Sequence, residues 1–153
     1  MYASALMAFL HHAAAFTLVG SLAVEVALFK PPLSLIQAQR LLRTDMIFGA
    51  SATLLLAVGL LRVTYFEKGP AYYWHDVFFL IKFGAFILAA LISIYPTVTF
   101  FSWNRRLKTG VAAQIDAGRT QRVRMCLMLE LTAVLVILLC AALMARGFGY
   151  PGH

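Results

Sequence analysis

Charge is what this sequence has least of. Only 12% of its 153 residues are charged, against 62% apolar, and just six are acidic. A water-soluble domain carries about 25% charged and 45–50% apolar residues, so there is too little polar side chain here to cover a soluble globule. Cysteine is nearly absent too. Cys126 and Cys140 are the two present, and on one helix they would stand about 21 Å apart, far beyond disulfide reach. No CxxC pair, HExxH motif or P-loop occurs, which removes the common zinc, thiol-redox and nucleotide sites. Nucleic-acid binders, disordered tails and disulfide-stapled scaffolds are set aside, and the net charge of +7 matters for where it falls rather than for its sum.

What the sequence does have is four apolar runs of roughly 20 residues or more, each able to cross a hydrocarbon layer about 30 Å thick. They fall at about 3–29, 44–66, 75–103 and 123–146. They predict a single all-α domain, an integral membrane four-helix bundle. The first cation, Lys30, follows the first run instead of preceding it, and the run is too long for a signal peptide, so it reads as a retained span. Ser34-Leu35-Ile36-Gln37 has the spacing of a capping box and predicts an amphipathic interfacial lead-in, carrying Arg40 and Arg43, to the second span. Glu67-Lys68-Gly69-Pro70 ends that span. Pro96 predicts a kink in the third, and Gly147, Gly149 and Pro151 stop the fourth.

An even number of spans puts both termini on one side. The first and third connections carry Lys30, Arg40, Arg43, Arg105, Arg106, Lys108, Arg119, Arg122 and Arg124, while the other side carries Arg62, Lys68 and Arg146. Cytoplasmic loops are the basic ones, so both termini are expected outside and the basic 104–122 loop in the cytoplasm. That loop reads as a topology signal, not as a partner site.

Ionisable groups inside a span are expensive and face a neighbouring helix, a cavity or a cofactor. Two polar layers are expected. The outer one holds His11, His12, Arg62, His75 and Lys82, with Phe66, Tyr72, Tyr73, Trp74, Phe78 and Phe79 nearby. The inner one holds Glu25, Arg43, Asp45, Arg124 and Glu130, whose opposite charges can neutralise one another. His11, Leu18 and Glu25 repeat every seven residues and share a stripe within about 20°. His12 turns about 100° away, so the two adjacent histidines do not readily serve one metal ion. His11 is the better candidate for facing inward, although sequence alone leaves the choice open. An outer pocket of imidazole, cations and aromatic rings suits a flat, acidic, apolar ligand, such as a porphyrin, a quinone head group or an anionic lipid. Each residue also has a plainer reading: Tyr72, Tyr73 and Trp74 as an interfacial belt, His75 as an interfacial residue, and Glu25 and Glu130 as structural hydrogen-bonding partners.

A histidine early in the first span, a basic interface before the second, aromatic residues with His75 ahead of Lys82 in the third, and Arg124 followed by Glu130 in the fourth form a pattern. It resembles the small four-helix bacterial membrane proteins of the HemJ type and, more loosely, the copper-resistance CopD domain. Arg62-Val63-Thr64-Tyr65-Phe66-Glu67-Lys68-Gly69 and Ser93-Ile94-Tyr95-Pro96-Thr97 look closer still to an uncharacterised family of small predicted bacterial membrane proteins related to that group. HemJ-type proteins are haem b-binding protoporphyrinogen oxidases of the inner membrane. The resemblance therefore implies haem b as cofactor, His11 or His12 as the metal ligand and Lys82 as the functional lysine of the third span. On this expectation the protein is a membrane oxidoreductase or electron-transfer protein acting on a porphyrin or quinone. His75, Arg62 and Lys82 would contact the cofactor, and Glu25, Asp45 and Glu130 would pass or balance protons. The alternative is a non-enzymatic small subunit or lipid-binding scaffold, assembled as a homo-oligomer or within a larger membrane complex. Copper transport is disfavoured, because no intramembrane methionine or cysteine cage of the kind soft Cu(I) prefers is visible.

Overall fold

The computed structural model describes residues 2–67, 69–109 and 116–149. The chain forms α1 (Tyr2–Leu28), α2 (Leu35–Leu61, prolonged by a π-helical turn over Arg62–Phe66), a short α3 (Pro70–Tyr73), α4 (Val77–Lys108) and α5 (Ala117–Ala145). No strand occurs among the described residues. α1 packs on α2 and α4 on α5, and the two pairs meet through α2 with α4 and α1 with α5. The result is an up-down-up-down bundle, the arrangement that short connections between antiparallel neighbours favour. Four of the helices are long and apolar enough to cross a membrane.

The helix ends follow the local chemistry. The Ser34 hydroxyl accepts from the Gln37 amide at 3.3 Å, and the Ser34 amide donates to Gln37 Oε1 at 2.8 Å, so the capping box is formed in both directions. From there α2 runs without interruption, so the amphipathic lead-in is the first two turns of the same helix. It buries Ala38, Leu41 and Leu42 and leaves Arg40 and Arg43 exposed. α2 gives way at Glu67, and Gly69, at φ 87°, reverses the chain into Pro70 at the start of α3. The expected start of the third span near residue 75 moves to Val77, because the Asp76 carboxylate accepts from the Phe79 amide at 3.1 Å and caps α4. α4 is helical through the buried Pro96.

The expected 104–122 loop is much shorter than its basic composition suggested. α4 continues to Lys108 and α5 begins at Ala117 with an Asp116 cap. Arg105, Arg106 and Lys108 therefore stand in the last turn of α4, where cations offset the negative end of the helix dipole. Arg119 and Arg122 lie in the first turns of α5, and residues 110–115 are outside the described set. At the opposite end, the expected stop at Gly147 and Gly149 is present, both with positive φ. Gly149 also returns its carbonyl to the Val77 amide at 3.2 Å, satisfying one of the first donors of α4, which no helical carbonyl can reach.

The core is concentrated toward the end bearing the 29–34 connection. Leu18 and Leu22 of α1, Leu41 and Phe48 of α2, Phe100 and Trp103 of α4, and Val123 and Leu127 of α5 meet there with Phe29 and Leu33. Phe29 stacks on Trp103 with ring centres 6.1 Å apart. Outward-facing apolar residues such as Phe16, Leu91, Leu135 and Leu139 are more than half exposed. Lipid tails would solvate that girdle, while the helices keep their own backbone groups bonded.

Candidate functional site

Two polar layers lie in the bundle, one near the chain termini around His11 and one nearer the 29–34 connection around Glu25. They are about 21 Å apart along α1, counting 1.5 Å per residue.

In the first layer the adjacent histidines separate. His12 is exposed, and its Nδ1 donates to the Ala8 carbonyl of its own helix at 2.6 Å. His75 does the same with Ala71 at 2.6 Å and is also exposed. His11 turns inward. A Cβ placed on Gly59 of α2 would lie 3.5 Å from His11 Cε1, so the ring rests on the bare flank of that glycine. Its Nδ1 is buried without a hydrogen-bond partner. Arg62 and Lys82 both lie within electrostatic reach of His11. The layer thus assembles His11, Arg62 and Lys82 from three helices; the exposed His12 ring meets that of His11 edge-on with centres 5.9 Å apart, and His75 is exposed.

The two cations differ in their commitments. Arg62 is paired with Glu67 five residues later, a contact the π-helical turn and the extended Glu67 backbone allow. Lys82 is half-buried, makes no ion pair among the described residues, and sets its ammonium 5.7 Å from the centre of the Phe79 ring, an attractive cation–π contact. The aromatic side chains beside it form a packed cluster of their own. Phe79 contacts Tyr73 at 5.1 Å, Trp74 at 5.9 Å and Phe83 at 6.0 Å between ring centres. Burial pushes the Tyr73 phenol above its ordinary value of 10.0, and the nearby Glu67 carboxylate adds to the shift.

In the second layer, Glu25 of α1 is 1% exposed, Asp45 of α2 is 4% and Glu130 of α5 is 1%. Thr97 of α4 donates its hydroxyl to Asp45 Oδ1 at 2.9 Å. The expected neutralisation by arginine is not what the structure shows: Arg43 and Arg124 are exposed. Arg43 precedes Asp45 by two residues, about 200° around the helix, and Arg124 precedes Glu130 by six, about 120° away. Neither can follow its carboxylate inward. Among the described residues, no group of three His, Cys, Asp or Glu side chains is placed to hold a metal ion.

A bundle of four membrane-length helices with ionisable groups at two depths defines a class, the small polytopic helical membrane proteins. Within it, residues 3–149 match the model of the family described as "Predicted membrane protein (DUF2214)", and the chain belongs to that family. No curated protein and no solved structure matches the chain.

Proposed function

We infer that the bundle carries a haem b in its His11 layer and serves as an electron-transfer protein or oxidoreductase of the inner membrane, with both termini on the outer side. The observation that carries the reading is the His11 imidazole, turned into the bundle with its Nδ1 sealed and unpartnered and with a buried-facing lysine in electrostatic reach. The resemblance to HemJ-type proteins supports the same choice of ligand. The residues present would fit one iron–nitrogen bond and one carboxylate contact. His11 would offer an imidazole nitrogen from α1. Lys82 offers an ammonium without an ionic partner from α4, whereas Arg62 is already held by Glu67. When bound, haem supplies reversible one-electron chemistry, and the protein tunes it through the axial ligand, nearby charge and burial. The Lys82 ammonium would favour the more negative, reduced state of such a group, and the Tyr73–Trp74–Phe79–Phe83 cluster would flank it on the α4 side.

An absorption spectrum of protein extracted in mild detergent, before and after adding haemin, tests the reading. A Soret band that His11→Ala removes and His12→Ala leaves in place is expected. The absence of a band under both conditions overturns it.

A further inference from the structure

The second polar layer presents three carboxyl groups from three helices, sealed from solvent and, among the described residues, in no ion pair. Two of the oxygens, Glu25 Oε1 and Glu130 Oε1, are buried without any hydrogen-bond partner, and both glutamates lie within electrostatic reach of Asp45. Each sits on a stripe that is otherwise core. Glu25 follows Leu18 and Leu22 on α1, Asp45 lies between Leu41 and Phe48 on α2, and Glu130 lies between Leu127 and Val134 on α5. Three negative charges confined in this way repel one another and lose their hydration, a cost that burial without a counter-charge does not recover. Something positive must accompany them. Among the described residues, the cations nearest these carboxyls in sequence, Lys30, Arg43 and Arg124, are exposed, and no group of three His, Cys, Asp or Glu side chains is placed to hold a metal ion.

We propose that Glu25, Asp45 and Glu130 form a proton-binding site, in which shared carboxyl protons balance the layer and exchange as a coupled set. A protonated carboxyl gains an O–H donor, which supplies the partner that the orphaned glutamate oxygens lack. Among the described residues the groups shown to reach the layer are Thr97 on α4, bonded to Asp45, and Cys126 on α5, within electrostatic reach of Glu130. Both are hydrogen-bonding side chains without a positive charge, so the protons are the charge-balancing ligands. The site stands independently of the haem reading, since it uses no residue of the His11 layer.

Infrared spectroscopy of the full chain in lipid vesicles tests it. Only six residues in the sequence are acidic, and three of them are in this layer, so the carboxyl signal is simple to assign. Carbonyl bands of protonated carboxylic acid are expected at neutral pH, shifted by exchange into deuterated water and diminished in Glu25→Gln and Glu130→Gln. Glu67→Gln, at the other polar layer, should leave them unchanged. Isotope-labelled glutamate in the unaltered chain should shift most of the band intensity, a readout that does not depend on any variant folding. Absence of protonated-acid bands overturns the proposal. So does their loss on adding Na+ at fixed pH, which would make the site one for a metal cation.

Discussion

Truncating Phe100 tests whether this core is a membrane core. Phe100 is 1% exposed and its ring centre lies 6.2 Å from that of Phe29 and 6.0 Å from that of Trp103. In a water-soluble protein, Phe→Ala at such a site costs about 3–5 kcal/mol, part of it the transfer of the ring from water. Between membrane helices the transfer part vanishes, because lipid tails are as apolar as the core. The cavity part remains: a residual hole of roughly 100 Å3 at about 24 cal/mol per Å3 gives about 2.4 kcal/mol. Losing the aromatic contacts adds about 0.5–1.5 kcal/mol, so Phe100→Ala should cost about 3–4 kcal/mol. The neighbouring Phe101 is 56% exposed. Its ring would meet lipid in the folded and the separated helices alike, so Phe101→Ala should cost well under about 1 kcal/mol. Reversible unfolding in mixed micelles, followed by circular dichroism, measures both. Equal losses for the two variants would refute the assignment of Phe100 to the interior and Phe101 to the lipid face.

Three further outcomes are expected. Ser34→Ala removes the hydroxyl that accepts from the Gln37 amide, while the residue-34 amide can still donate to Gln37 Oε1, and should destabilise the first turn of α2 by about 1 kcal/mol in the same unfolding assay. At Gly149, φ is +104° and an added Cβ would stand 2.6 Å from Phe78 Cδ2 and 2.7 Å from Asp76 Oδ1. Gly149→Ala should therefore release the C-terminal turn from the start of α4, costing about 1–3 kcal/mol for the backbone strain alone, and hydrogen exchange should speed up at the Val77 amide. Because burial raises the Tyr73 pKa above 10.0, its contribution to stability is fully present below that value and is lost as pH rises through the folded pKa. Ultraviolet titration should show a late-ionising component, and Tyr73→Phe should remove it.

The four spans were legible because hydropathy over helix-length windows reports the bilayer directly, and Ser34 with Gln37 marked the start of α2 by pattern alone. Helix ends inside polar sequence were less legible. Arg105 to Lys108 and Arg119 to Arg122 read as loop by charge, yet they cap and flank helices that simply outlast the apolar run. The orientation of His11 against His12 needed a neighbour: Gly59, 48 residues further on, leaves the flank on which His11 rests. The failed arginine neutralisation was within reach of the sequence. At about 100° per residue, Arg43 and Arg124 cannot share a face with Asp45 and Glu130, whereas the carboxylates fall in step with Leu41, Phe48, Leu127 and Val134. The Arg62–Glu67 pair depends on a π-helical turn, for which a five-residue separation gave no warning.

The most direct test of the function proposed here is ligand replacement at His11. The His11→Gly protein, loaded with haemin in detergent, should lack the wild-type Soret band and regain it when free imidazole fills the space the side chain left, while His12→Gly should need no rescue. A His11→Gly protein whose spectrum equals that of the wild type, or one that imidazole does not alter, would contradict the assignment of this imidazole as the ligand.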